Sequence, residues 1–473
     1  MRTIARNTVF LTGSELLAMA LQFLFVIVLT KHYGHIGFGK ISFAISFAMV
    51  ASILGDAGLN TLIIRKIAQN EEGVEGIISN ALAVKIAVSV VVVLLSILLL
   101  WVSKAEYEKI VLVGIITTAF VLGTMAQLFR NVFQAYEKME YEAIVKTIHT
   151  VLYISLGILA VVFQFDIVFI GLAYLVGSFF NLILSMRICF NKFSRFSIKF
   201  DFHKIAELMV DAYPFAVSAV IASFFFNMDI LMLGYFKGDE AVGWYSLAYR
   251  IMTVVIIFPQ FFVQAIFPRL CKFSSSAKES LYFALEKGMK YMFLIALPMA
   301  LLITHAAGPV ISAVFGENFT NSILALQILI WCAATIFISM ILTVTVNAMN
   351  KQKQNMFIFS FNALLNFFLN LLLIPKYSLY GAAVATLITH IHGVFWTSRL
   401  IPNFGFYLKR VRAEKIIVAG VFMEGTLLFF NDNLLVAAII SIGVYLAACF
   451  MFKTFEKEEM ELMKEIIIKP NPK

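Results

Sequence analysis

Fourteen apolar runs, most close to the roughly 20 residues that cross the hydrocarbon core of a bilayer, leave this chain little choice of fold. They lie near 8–30, 39–63, 77–101, 109–129, 147–164, 166–186, 213–235, 243–268, 288–305, 323–348, 356–374, 380–398, 416–431 and 433–452. Short turns join them, so no sizeable soluble domain fits between. The expected fold is an all-α membrane protein of about fourteen transmembrane helices.

The composition agrees. Of 473 residues, 61% are hydrophobic and only 14% are charged, and the mean hydropathy is +0.91. A soluble chain of this length has no means of hiding that much apolar surface. A pI near 9.2 raises the question of nucleic acid, but the placement of the charges answers it. With the N-terminus in the cytoplasm, 28 Lys and Arg fall on the inner side and 6 on the outer, while Lys85, Arg250 and Lys290 sit inside spans. That asymmetry is the positive-inside rule. It predicts an even number of spans, both termini cytoplasmic, and no nucleic-acid partner. The first apolar run continues past Ala18-Met19-Ala20 to Thr30, too far for a cleaved signal. Cys189, Cys271, Cys332 and Cys449 form no CxxC pair, so free thiols are expected and neither a disulfide nor a metal site.

The two halves repeat. Residues 31–44, KHYGHIGFGKISFA, align with 235–248, YFKGDEAVGWYSLA: Gly34 with Gly238, Gly39 with Gly243, Ser42 with Ser246, Ala44 with Ala248, at a constant offset of 204. Ala135-Tyr136-Glu137-Lys138 is echoed by Ala348-Met349-Asn350-Lys351, and Gly171-Leu172-Ala173 by Gly381-Ala382-Ala383. Spans one to six thus match seven to twelve, with two appended. Six spans is an even number, so both copies insert the same way up, about an axis along the membrane normal. Repeats of this kind belong to transporters, whose halves rock against each other. The expected divisions are 1–205, 206–412 and 413–473. Gly34 to Lys40 also fits GxxxxGK, the start of a phosphate loop. Ile41 stands where Ser or Thr is required, no strand precedes it, and the second copy has Trp244 in place of Lys40. It is a tight turn.

Charged residues in hydrocarbon are costly and mark function by default. Glu15, Asp56, Lys85, Asp229, Arg250, Lys290 and Glu424 qualify, and Arg65 and Arg130 lie near cytoplasmic span ends, where snorkelling is the plain alternative. Snorkelling is also open to Lys85. Asn362, Asn366 and Asn370 step by four along one helix face and suit interhelical hydrogen bonding. His305, His390 and His392 show no metal-ligand spacing.

The run Leu371 to Thr386, LLLIPKYSLYGAAVAT, resembles the span eleven to twelve turn of polysaccharide flippases, the Wzx-like, polysaccharide-transport branch of the MOP exporter superfamily. Asp56-Ala57-Gly58-Leu59-Asn60 with Arg65, Asp229 to Gly234 with Gly243 to Ala248, and Asn7 with Gly34 to Gly39 are similar to other segments of that family. The first turn reads Gly34-His35 where the family often has Gly-Pro. In residue terms, Pro375 is expected to stop span eleven, because it lacks an N–H and clashes with the preceding turn. Gly381, Ala382, Ala383 and Ala385 then let backbones approach closely.

The resemblance implies a MOP/MATE-like fold of two six-helix lobes plus two C-terminal helices, with a V-shaped cavity for a sugar headgroup and a groove for a lipid tail. It implies transport of an oligosaccharide on a polyprenyl phosphate or pyrophosphate from the cytoplasmic to the outer leaflet of the cell membrane, and not an enzyme. Arg250, Lys85, Lys290, Arg65 and Arg130 are the candidates for binding the substrate's phosphates, since guanidinium and ammonium suit that anion. Asp56, Asp229 and Glu15 are candidates for ion coupling or charge pairing. No cofactor is expected beyond a Na⁺ or H⁺ coupling ion. The expected partners are the lipid-linked substrate, membrane lipid, and a glycan polymerase or glycosyltransferases of the same pathway. A MATE-type drug or cation antiporter is the alternative. A membrane glycan polymerase or ligase fits less well, because the longest outer loop, near 306–322, carries only Glu317 as a charge. A major-facilitator carrier would show a Gly-x-x-x-Asp-Arg-x-Gly turn after span two, which is lacking.

Overall fold

A computed structural model describes residues 2–56, 58–69, 74–193, 201–276, 278–430, 433–455 and 459. Arg195, Lys199, Lys457, Lys464, Lys469 and Lys473, all assigned to the inner side by the charge pattern, lie outside the described residues. The helices are α1 (Arg2–Asp56), α2 (Leu59–Ala68), α3 (Val74–Val102), α4 (Tyr107–Ala135), α5 (Met139–Val162), α6 (Val168–Lys192), α7 (Phe202–Phe236), α8 (Gly238–Ser276), α9 (Lys278–Phe315), α10 (Ser322–Ala348), α11 (Gln352–Arg399), α12 (Phe404–Val411), α13 (Ala413–Phe429) and α14 (Leu434–Met451). Among the described residues there is no strand.

Among the described residues, eleven helices are long and apolar enough to cross a membrane. Two of them are double. α1 kinks at Gly34 (φ 66°) and α11 at Ser378 (φ 52°), and each holds a span on either side. α13, at 17 residues, is at the short end of spanning length and packs with α14. These bring the spans to the fourteen read from the hydropathy. Pro375 is not the stop it was expected to be. The helix runs through it and breaks three residues later. Lys237 donates its ammonium to the Pro375 carbonyl at 2.7 Å, which satisfies an oxygen beside the break.

The repeat shows in the backbone. Gly34 and Gly238 both take positive φ (66° and 80°), as do Lys104 and Gly316 (56° and 87°) and Glu137 and Asn350 (55° and 58°). After α4 and after α10 the chain closes the same C-terminal cap, Lys138 N–H to the Phe133 carbonyl and Lys351 N–H to the Val346 carbonyl, the hydrogen bond of a left-handed helix end.

The chain divides into two compact units, Met1–Ser246 with Asn370–Leu379, and Leu247–Leu369 with Tyr380–Lys473. In the first, span two is broken. α1 ends at Asp56, and α2 follows as a ten-residue helix after Gly58 (φ 74°). α2 is a buried wedge: Leu59, Leu62 and Ile63 pack with Ile78 of α3, Phe129 and Phe133 of α4, and Leu208 and Ala212 of α7. A β-carbon on Gly58 would collide with the backbone of Ala212 and Ala216, so glycine is needed there for both its φ and its fit. In the second unit α13 and α14 pack on α9 through Leu301, Met423, Tyr445 and Cys449, and the Tyr445 hydroxyl donates to the Leu294 carbonyl at 3.0 Å. Leu94, Leu99 and Trp101 of α3 are more than half exposed, which is the expected state of a lipid-facing side chain.

Candidate functional site: charges held inside the helices

Lys85 stands eleven residues into α3, about 16 Å along it, and its side chain is fully buried. It does not snorkel. Its ammonium donates to Asp56 Oδ1 at 2.5 Å, to Asn60 Oδ1 at 3.2 Å and to the Thr124 carbonyl at 3.1 Å. The acceptors come from the end of α1, the start of α2 and the middle of α4. Removing one partner of such a buried pair typically costs about 3–5 kcal/mol, because the other charge is left unanswered. The break in span two therefore has a charge lock at its centre.

A line of amides runs from this lock. Asn131 Nδ2 donates to Asn60 Oδ1 at 2.9 Å, and Gln127 Nε2 donates to Asn131 Oδ1 at 2.9 Å. Arg130 donates from Nε to Gln127 Oε1 at 3.1 Å and from Nη1 to Asn181 Oδ1 on α6 at 2.9 Å. The hydrogen-bond acceptors of Arg130 are thus neutral, and its charge is held in place without being cancelled by contact. Arg65, on α2, is exposed and donates to Gln69 at 3.2 Å. Glu15 pairs with Lys146 of α5 at 3.0 Å, both part-exposed.

The two copies of the repeated turn meet. A β-carbon on Gly39 would collide with the Asp239 carbonyl, and one on Gly243 with the His35 carbonyl. Around this crossing Lys109 pairs with Asp239 at 2.5 Å and lies 3.9 Å over the Phe43 ring. His35 contacts Glu240 at 3.1 Å and stacks on Trp244 with centroids 5.2 Å apart. Lys40 pairs with Glu106 at 2.9 Å and Glu108 at 3.2 Å, and its hydrogen bond and charge hold the Glu106 carboxyl below the usual carboxylate range. In the same unit Asp229 accepts from the Tyr245 hydroxyl at 2.5 Å and from Asn370 Nδ2 at 2.6 Å.

In the second unit Lys290 donates to Glu459 Oε2 at 2.6 Å, and Lys287 to Oε1 of the same carboxylate at 2.9 Å. His305 of α9 and Glu424 of α13 meet at 3.0 Å. Asn362 Oδ1 lies 2.7 Å from His392 Nδ1 and accepts its proton in the tautomer that carries one there, and Asn366 contacts Thr389 at 3.5 Å. Arg250 of α8 is different. It is half-buried, and among the described residues its guanidinium has no carboxylate or other hydrogen-bond acceptor.

Of the sequence-derived candidates, then, Lys85, Asp56 and Arg130 belong to one polar network. Glu15, Asp229 and Lys290 each sit in a separate one, and Arg65 and Arg250 stand apart. Sequence reasoning missed Lys109 with Asp239, because Lys109 read as an outer-side charge at the start of span four and Asp239 as part of a turn. Asp239 directly follows Gly238 in the repeated motif, and that was the available signal. It also missed Glu459, which read only as tail charge. Among the described residues no three His, Cys, Asp or Glu side chains converge as metal ligands. The arrangement favours positioned, paired charges over a nucleophile with its base.

Known proteins agree with this architecture. The chain is 22% identical to a Haloferax volcanii protein named as a probable low-salt glycan biosynthesis flippase, Agl15, over 88% of this chain and 89% of that one. Its fold is similar to that of lipid II flippase MurJ in an inward closed conformation, with a TM-score of 0.78 at 15% identity, covering 94% of this chain and 99% of that one. It is also similar to an inward-facing multidrug resistance MATE family transporter of the MOP superfamily, with a TM-score of 0.66 at 16% identity, covering 83% and 96%. The MatE profile matches residues 214–372. The profile of the polysaccharide biosynthesis protein family matches residues 4–274, more than half of the chain, and the chain belongs to that family.

Proposed function

We propose that this protein moves an oligosaccharide, carried on a polyprenyl phosphate or pyrophosphate, from the cytoplasmic to the outer leaflet by alternating access. No covalent bond is made or broken. The observation that carries this reading is the family membership, joined to a relative named as a glycan flippase that aligns over nearly the whole of both chains. The membrane is the plasma membrane and both termini are cytoplasmic, as the charge asymmetry supports. Arg250, the half-buried cation with no counter-ion among the described residues, meets the phosphates. Asp229 or Glu15 answers a Na⁺ or H⁺ that drives the return, while Asp56 pairs with Lys85. A glycan polymerase or glycosyltransferases work on either side of the step.

The MatE match over residues 214–372 favours a second reading, a drug or cation antiporter. One experiment separates them. The gene is deleted, and lipid-linked oligosaccharide is extracted from the cytoplasmic side. Accumulation that is reversed by the restored gene supports the flippase. Unchanged glycan with altered drug resistance supports the antiporter.

A further inference from the structure

Three oxygens of three different kinds surround the Lys85 ammonium. One is a carboxylate (Asp56 Oδ1, 2.5 Å), one an amide (Asn60 Oδ1, 3.2 Å) and one a peptide carbonyl (Thr124, 3.1 Å). Hard cations are held by such mixed oxygens, and discontinuous membrane helices supply them for Na⁺. That is the local structure here. Asp56 closes α1, Gly58 turns the chain at φ 74°, and Asn60 opens α2. The amide is oriented for the task. Asn131 Nδ2 donates to the Asn60 side-chain oxygen at 2.9 Å and to its main-chain oxygen at 3.2 Å. The Asn60 oxygen, and not its nitrogen, therefore faces Lys85.

We propose that this is a monovalent-cation site which the chain fills with its own ammonium. Lys85 is a tethered cation, standing where Na⁺ or K⁺ would otherwise bind between α1, α2 and α4. It carries the same single charge, and its tether makes its binding intramolecular, at an effective concentration set by the stem and not by the salt outside. Its stem runs fully buried through α3's interface, so the site is closed without regard to external salt. Shortening the side chain would leave the oxygens in place, with room for a free ion. The inference concerns the unit's own structure and is independent of what the protein transports.

The test reads stability, so it is distinguishable from any failure of the flippase reading. Full-length protein is purified in detergent, and thermal unfolding is followed in Na⁺, K⁺, methylammonium or choline chloride at equal ionic strength. Wild type sets the reference dependence on the cation. Lys85→Ala is expected to unfold earlier in choline. It should recover by several degrees, saturably, with Na⁺, K⁺ or methylammonium, while the bulkier choline does not enter. The double variant Lys85→Ala/Asp56→Ala should lose that added recovery. A Lys85→Ala midpoint no more cation-dependent than wild type overturns the proposal. So does equal dependence in the double variant, which places the ion elsewhere. Should Lys85→Ala be lost on extraction, recovery in Na⁺ or methylammonium but not choline supports the site, and loss in every salt overturns it.

Discussion

Gly39 and Gly243, 204 residues apart in sequence, meet backbone to backbone. A β-carbon added to Gly39 would stand 2.9 Å from the Gly243 amide nitrogen, and one on Gly243 would stand 3.3 Å from the Gly39 nitrogen. Equivalent positions of an internal repeat thus touch each other. The obstacle in each case is main chain, which has no rotamer to move aside.

Gly39→Ala and Gly243→Ala should therefore each be destabilising, by at least the roughly 1–3 kcal/mol of an overpacked core. Gly13→Ala, where a β-carbon meets nothing within 4 Å, serves as the control. Melting of the purified proteins, followed by size-exclusion chromatography, measures it. Equal melting of all three would show that the crossing is loosely packed.

Arg250→Ala should weaken substrate binding by about 1.5–3 kcal/mol, the value of a hydrogen bond to a charged group. Arg250→Lys should retain more, keeping the charge and losing the fork. Glycan export in a deletion strain, at membrane protein levels matched by blot, is the measurement. Full export by Arg250→Ala removes this residue from phosphate recognition.

Glu459 answers two lysines, Lys290 buried and Lys287 partly buried, with one carboxylate. Glu459→Gln should destabilise the second unit, and a double-mutant cycle with Lys290→Met should show coupling of about 0.5–3 kcal/mol. Strict additivity in thermal unfolding would mean that the tail contact contributes nothing.

Glu106 sets an acid-side dependence. Lys40 lowers its folded pKa below the unfolded value. Its stabilisation is therefore present above the unfolded value, about pH 4 to 5, and is lost as pH falls through the lower, folded one. Its side chain is 70% exposed, so the effect is small and screened by salt. Glu106→Gln should flatten the acid limb of the melting profile slightly at low ionic strength. An unchanged limb would mean that the pair does not hold in solution.

A single cysteine at Lys409, in a Cys-free background, should react with a permeant but not an impermeant thiol reagent in intact cells. The basic turn Lys409 to Lys415 belongs to the cytoplasmic side under the positive-inside rule. Labelling from outside would invert the topology and with it the direction of transport.

The sequence alone determined the span number, the helical class and the repeat. These rest on local properties: run length against bilayer thickness, and glycines where φ must be positive. It also marked Lys85, Asp56, Arg130, Asp229 and Arg250 as costly in hydrocarbon, because cost depends only on residue type and depth. Which charges answer each other was decided by the tertiary structure. Lys85 meets Asp56 across 29 positions and Lys290 meets Glu459 across 169, and no periodicity encodes such distances. Only the fold broke span two at Asp56, placing a carboxylate, an amide and a carbonyl around one ammonium. It also left Arg250 without an acceptor among the described residues, a property of a residue's surroundings that its own position in the chain does not carry.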